Sequence, residues 1–122
     1  MVGYVTLGTN DQPRAARFYD ELLGLLGAKR LMDFGAFVLW GTSMDAANLA
    51  LTTAYDKQRA TVGNGVMVAL RAGSKAQVDA VYNKALALGG TDEGPPGPRG
   101  DGFYAGYFRD LDGNKLNAFF TG

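Results

Sequence analysis

The sequence predicts an α+β fold in which two β-α-β-β-β units build curved mixed sheets around a cleft. Three observations predict it. The chain has 122 residues, the size of one ordinary domain. Its apolar pattern switches between helical spacing and strand alternation in one order over about residues 1–56, and in the same order over about 64–122. A shift of 63 residues lays Tyr4-Val5-Thr6-Leu7 on Met67-Val68-Ala69-Leu70 and Tyr19 on Tyr82. Residue identity between the halves is weak, but the order of elements is not. A repeated supersecondary unit must hide its apolar face against the other copy or against a second chain.

The first unit opens with Val2 to Gly8, a β-branched and apolar strand. Asn10 or Asp11 can cap the helix that follows, and Pro13 suits its first turn, where backbone donors lack partners. Ala15, Phe18, Tyr19, Leu22, Leu23 and Leu26 recur at helical spacing, so the helix is expected from about Asp11 to Leu25, stopping near Gly24 or Gly27. Lys29 to Asp33, Ala36 to Trp40 and Asn48 to Thr53 read as three short strands. Residues 54–64 are polar and mixed, and read as the connector between halves.

In the second unit, Gly65 to Ala72 is strand-like. Ser74-Lys75-Ala76-Gln77 has the form of a capping box. Val78, Val81, Tyr82, Ala85 and Leu88 supply a helical face that Gly89-Gly90 ends. Thr91 to Gly102 holds three of the four prolines and is expected to be a loop, or a loop around one short edge strand, and a candidate lid. Phe103 to Arg109 and Lys115 to Thr121 are strands joined by a hairpin at Asp110-Leu111-Asp112-Gly113-Asn114.

Composition limits the chemistry. There is no cysteine and no histidine, which removes thiol nucleophiles, disulfides, catalytic triads and every His-ligated metal site. Twelve basic and twelve acidic residues give zero net charge, with no electrostatic case for nucleic acid or an anionic membrane. No stretch has the length of a membrane span and the first residues do not resemble a signal peptide, so a cytoplasmic protein is expected. Neither Gly63-Asn64-Gly65 nor the Gly-rich stretch from Gly94 to Gly102 has the Gly-Lys-Ser/Thr ending of a phosphate-binding loop.

Period-two alternation sorts the strand residues. Val5 and Leu7 should face the first helix, leaving Tyr4 and Thr6 on the hollow side. Val66, Val68 and Leu70 should face the second helix, leaving Met67 and Ala69. Leu116, Ala118 and Phe120 should pack beneath it, leaving Lys115, Asn117 and Phe119 inward. Parity is ambiguous for Phe37 to Trp40 and for Tyr104, Tyr107 and Phe108. The expected ligand-binding residues are Tyr4, Trp40, Met67, Tyr104, Tyr107, Asn117 and Phe119. An apolar, aromatic hollow with a few polar points is the usual description of a small-molecule site.

The Val5-Thr6-Leu7-Gly8 strand followed by Asn-Asp-Gln-Pro-Arg-Ala-Ala-Arg-Phe-Tyr-Asp-Glu-Leu-Leu-Gly (residues 10–24) resembles the first unit of the glyoxalase/bleomycin-resistance/extradiol-dioxygenase superfamily, also called the vicinal oxygen chelate superfamily. Residues 108–118, with Asp110-Leu111-Asp112-Gly113-Asn114, resemble its closing hairpin, usually Asp-Pro-Asp-Gly-Asn. Pro95 to Arg99 is similar to the Gly/Pro-rich loop of small single-domain members. The resemblance implies two βαβββ units around a U-shaped cleft, often across a homodimer. It also implies a divalent ion held by His or Glu on the first, fourth, fifth and eighth strands. Carried onto this chain, those positions fall on Tyr4, within Leu49 to Leu51, on Met67 and on Asn117. None is a usual ligand, so neither a metal nor a cofactor is expected.

Two functions follow from the resemblance. One is metal-free binding of a small aromatic or hydrophobic molecule, of the antibiotic-sequestration type. The alternative is a superfamily enzyme of lyase or dioxygenase type, metal-free or with non-standard ligands, in which Tyr4 serves as acid, Asn117 as donor, and Arg99 or Arg109 neutralises an anionic substrate. A homodimer is expected, with a monomer that closes its own units together as the alternative.

Overall fold

The computed structural model describes residues 1–122, which divide into two compact units, Met1–Thr61 and Val62–Gly122.

In the first unit the order is β1 (Tyr4–Gly8), α1 (Gln12–Gly24), β2 (Lys29–Asp33), β3 (Phe37–Gly41) and β4 (Asn48–Thr52). The sheet order is β1-β4-β3-β2, with β1 parallel to β4 and the other pairs antiparallel. Asp11 is the N-cap of α1, its carboxylate accepting from the Arg14 amide at 3.2 Å, and Pro13 sits in the first turn. Beyond α1, Gly27 at φ 80° turns the chain toward β2, as a left-handed glycine does after a helix. Ala15, Ala16, Phe18, Tyr19, Leu22 and Leu23 form the buried face of α1. The sheet supplies Leu7, Val38, Trp40, Leu49 and Leu51, all buried. Each such aliphatic side chain contributes about 1.5–3 kcal/mol on burial, far more than any surface ion pair of the unit.

The second unit repeats the order: β5 (Val68–Arg71), α2 (Lys75–Ala87), β6 (Thr91–Pro98), β7 (Phe103–Arg109) and β8 (Lys115–Thr121). Its sheet order is β5-β8-β7-β6, again with the first and last strands of the unit paired in parallel. Ser74 caps α2 by accepting from the Gln77 amide at 3.1 Å. The Gln77 side chain reaches back to the Gly73 amide at 2.6 Å, one residue ahead of the amide a capping box would cover. After α2 the chain passes close under its own backbone. A Cβ on Gly90 would lie 2.6 Å from the Arg109 carbonyl oxygen and 2.8 Å from that of Ala85, so only glycine fits.

The hairpin turn is organised by one buried carboxylate. Asp110, 4% exposed, accepts from the amides of Asp112 and Asn114 and from the Asn114 Nδ2, at 2.9, 2.9 and 3.0 Å. Gly113 adopts φ 91°.

Two expectations change. Strand β5 begins at Val68 rather than Gly65, so Val66 and Met67 precede it and stand 60% and 39% exposed. Residues 91–98, expected as a loop or a loop around one short edge strand, form a longer edge strand of eight residues paired with β7, with two irregularities of register. Its prolines sit where a missing amide is tolerated, on an outer strand and at its irregularities. The Asp92 carboxylate accepts from the Tyr82 hydroxyl at 2.7 Å and from the Gly94 amide at 2.8 Å, which ties this segment to α2. The candidate lid of residues 91–102 is thus a paired strand over its first eight residues.

Candidate functional site

Each sheet carries its helix on one face and leaves the other helix-free. Register decides which residues stand where. In the first unit Tyr4 pairs with Asn48 and Thr6 with Ala50, and Leu39 and Phe37 oppose Ala50 and Thr52. These residues make up the helix-free face. Tyr4, 56% exposed, meets Phe37 edge-on at 6.1 Å.

Trp40 is on the other side. Its ring lies 5.8 Å from that of Tyr19 in α1, and its indole N–H donates to the Asp20 carboxylate at 2.9 Å. Asp20 also receives Nε and Nη2 of Arg30, each at 2.8 Å. The Arg30 guanidinium, followed by the indole N–H, holds the Asp20 carboxyl below its ordinary range, against the opposing effect of burial. Trp40 is 1% exposed in this packing, so its expected place on the hollow side is corrected. The Phe37-to-Trp40 run is apolar at every position, and only contact with α1 fixes its parity.

In the second unit Ala69, Asn117 and Tyr107 share one row of the sheet, and Arg71, Phe119 and Ala105 share the next row of that face. Phe103 stacks on Phe119 at 5.5 Å with 18° between the ring planes. Tyr107, Asn117 and Phe119 thus lie together on the helix-free face, as expected. Tyr104 does not. Its hydroxyl donates to Asp79 of α2 at 2.7 Å, and Lys75 of α2 lies over its ring at 5.7 Å. The hydrogen bond to Asp79 and, after it, burial push the Tyr104 phenol above its ordinary pKa, which suits it poorly for acid catalysis. Phe108, fully buried, lies on the same helix side.

Asn117 is 2% exposed, and its Oδ1 has no hydrogen-bond donor. Such a buried acceptor costs about 1–3 kcal/mol while it stays unpaired. Met67 lines a pocket of about 350 Å³ together with Val62, Gly65, Val66, Arg109 and Lys115.

Residues that the sequence reading did not place on this face are Arg71, Phe103 and, beside Tyr107, Arg99. The Arg71 guanidinium lies 4.9 Å from the Phe119 ring centre; Arg99 and Lys115 lie 5.5 and 5.7 Å from that of Tyr107. A signal for part of this set was present. The hairpin turn pairs Arg109 with Lys115. Counting back in twos from there gives Tyr107, Ala105 and Phe103 on the face of Asn117, and sends Tyr104 and Phe108 to the other.

Two βαβββ units in one chain, each with a parallel first-to-last strand pairing and a helix-free face bearing rings and one buried amide, define a class of small α+β proteins. The comparisons give that class its family. A model of the Glyoxalase/Bleomycin resistance protein/Dioxygenase superfamily matches residues 1–118, and the chain belongs to that superfamily. Among solved structures, it is similar to a glyoxalase/bleomycin resistance protein from Albidiferax ferrireducens T118. Identity is 37%, the TM-score is 0.92, and the match covers 100% of this chain and 99% of that one. It is also similar to a glyoxalase-related enzyme from Fulvimarina pelagi, at 23% identity and TM-score 0.78 over 99% of this chain and 88% of that one. A putative glyoxalase from Bacillus halodurans matches at 20% identity and TM-score 0.80, over 98% and 95%. The last two likenesses concern the fold alone. A search of curated proteins finds no match. No helix of the chain is long and apolar enough to cross a membrane.

Proposed function

We propose that this chain binds a small aromatic or hydrophobic molecule on its helix-free faces, without a metal ion. The observation that carries the reading is Asn117, a buried amide whose Oδ1 lacks a donor, set beside Tyr107 and in the same strand as Phe119. A planar ligand bearing an N–H or O–H satisfies that oxygen while its ring lies against the aromatic side chains. Each good ring pair adds about 0.5–1.5 kcal/mol. Tyr4 with Phe37 offers a second aromatic surface, and Met67 an adaptable wall.

A divalent ion does not fit the residues at the family's ligand positions. Tyr4 offers a neutral phenol, Met67 a thioether and Asn117 an amide oxygen, and nothing between Leu49 and Leu51 can ligate. No three His, Cys, Asp or Glu side chains gather as a ligand set anywhere in the chain. No step of this reading runs through a metal.

The test is a titration of amide NMR spectra with 2-naphthamide, a neutral planar aromatic. Saturable shifts at Tyr107, Asn117 and Phe119 are expected. No saturable shift up to millimolar ligand, or shifts confined to other residues, overturns the reading. A homodimer belongs to the same proposal. Exposed Met32, Phe34 and Met44 in the first unit give it apolar surface to bury, and sedimentation velocity at a single-chain mass of 12.9 kDa would refute it.

A further inference from the structure

The chain is neutral overall, and so is its second unit, but that unit does not distribute its charges evenly. Asp79 and Asp92 are bound to Tyr104 and Tyr82, tying α2 to the sheet, and Asp110 and Asp112 lie in the hairpin turn. Lys75 and Lys84 belong to α2, and the other four cations of the unit, Arg71, Arg99, Arg109 and Lys115, stand on or beside the helix-free face. Arg71 lies over Phe119, and Arg99 and Lys115 over Tyr107, and none of the three forms an ion pair with a carboxylate.

Arg109 and Lys115 are directly opposite each other across β7 and β8, a like-charge pairing that weakens a sheet. Glu93 pairs with only one of them, Arg109 Nε at 2.7 Å, while Arg109 Nη1 donates to the Gly113 carbonyl at 3.0 Å. Arg109 and Lys115 line the 350 Å³ pocket together with the run from Val62 to Met67. Two positive charges side by side, only one of them paired with a carboxylate, leave one positive charge unbalanced at the pocket.

We infer that the ligand of this face is an organic anion, whose carboxylate is held by Lys115 and Arg109 at the pocket beside Met67 while its planar body lies along Tyr107. This rests on the ring-binding part of the reading above, not on the hydrogen bond to Asn117, and adds the charge of the ligand to it. Cationic molecules are disfavoured on this face by the same unbalanced charge.

The experiment compares 2-naphthoate, 2-naphthamide and acetate by NMR titration of the full chain at low and at 0.5 M salt. We expect 2-naphthoate to bind at least about tenfold more tightly than 2-naphthamide at low salt, with most of that margin lost at high salt. Lys115→Gln should remove the margin between 2-naphthoate and 2-naphthamide, and Lys115→Arg should keep it. Circular dichroism and thermal melts check that both variants fold. Equal affinity for acid and amide overturns the anion inference while the aromatic reading stands. Acetate binding at Lys115 as tightly as 2-naphthoate keeps the anion and overturns the aromatic reading. Absence of binding by all three overturns both.

Discussion

Replacing Asn117 by leucine separates stability from binding. The side chain is 2% exposed and its Oδ1 has no donor, so the ligand-free protein carries a desolvated acceptor that water satisfied in the unfolded chain. That penalty is about 1–3 kcal/mol, and an apolar group of similar size removes it. Leucine is slightly bulkier, and fitting it beside Ala69 and Tyr107, its neighbours in the sheet row, takes back part of the gain. The net expectation is a stabilisation of about 1 kcal/mol, or about 3–5 °C in Tm for a domain of this size. Binding should move the other way. Losing one ligand hydrogen bond of about 1 kcal/mol weakens 2-naphthamide about fivefold, so the ligand-induced rise in Tm shrinks. Differential scanning fluorimetry with and without 2-naphthamide reads both quantities. A drop of 3 °C or more in the ligand-free Tm would refute the reasoning, because it would mean that the amide is fully paired in the folded protein. An unchanged affinity would remove Asn117 from the binding face.

Two further expectations concern the helix sides of the sheets. Trp40→Phe should lower stability by about 2 kcal/mol through lost ring volume and the lost bond to Asp20, and leave 2-naphthamide affinity unchanged; a weakened affinity in the folded variant would return Trp40 to the binding face. The second is a pH dependence. Arg30 beside Asp20, the Gly35 amide and then Arg30 beside Asp33, and the Tyr82 hydroxyl beside Asp92 hold these carboxyls below their ordinary range in the folded chain. As pH falls the unfolded chain therefore takes up protons first. The contribution of these groups is complete above the ordinary carboxylate value and is lost as pH drops through the lower folded values. Thermal melts from pH 5 to pH 3 should show a falling Tm, with a shallower fall in Asp20→Asn; an equal slope in the two proteins contradicts the assignment.

Much of the fold was legible in the residues because local rules and global packing agree there. Asp11, Pro13 and Gly27 punctuate α1, Ser74 with Gln77 starts α2, and the Asp110-to-Asn114 run encodes a hairpin whose carboxylate bonds its own backbone. Alternation alone placed Tyr4, Asn117 and Phe119, because each neighbours an apolar residue committed to the helix side. Where every position of a strand is apolar, alternation carries no information. That is why Trp40 and Tyr104 were expected on the wrong face. Contact with α1 and α2, through Asp20 and Asp79, decides both.

The 91–98 segment shows a second limit. Its prolines and glycines argue for a loop in isolation, and pairing with β7 makes it an edge strand nonetheless. The sequence by itself determined the repeat, the absence of histidine and cysteine chemistry, and the identity of the residues at the family's ligand positions. The tertiary structure decided that Arg71, Arg99 and Arg109 gather with Lys115, because strand register and ring contacts bring together side chains that are distant in the chain, and a neutral composition gives no hint of that gathering.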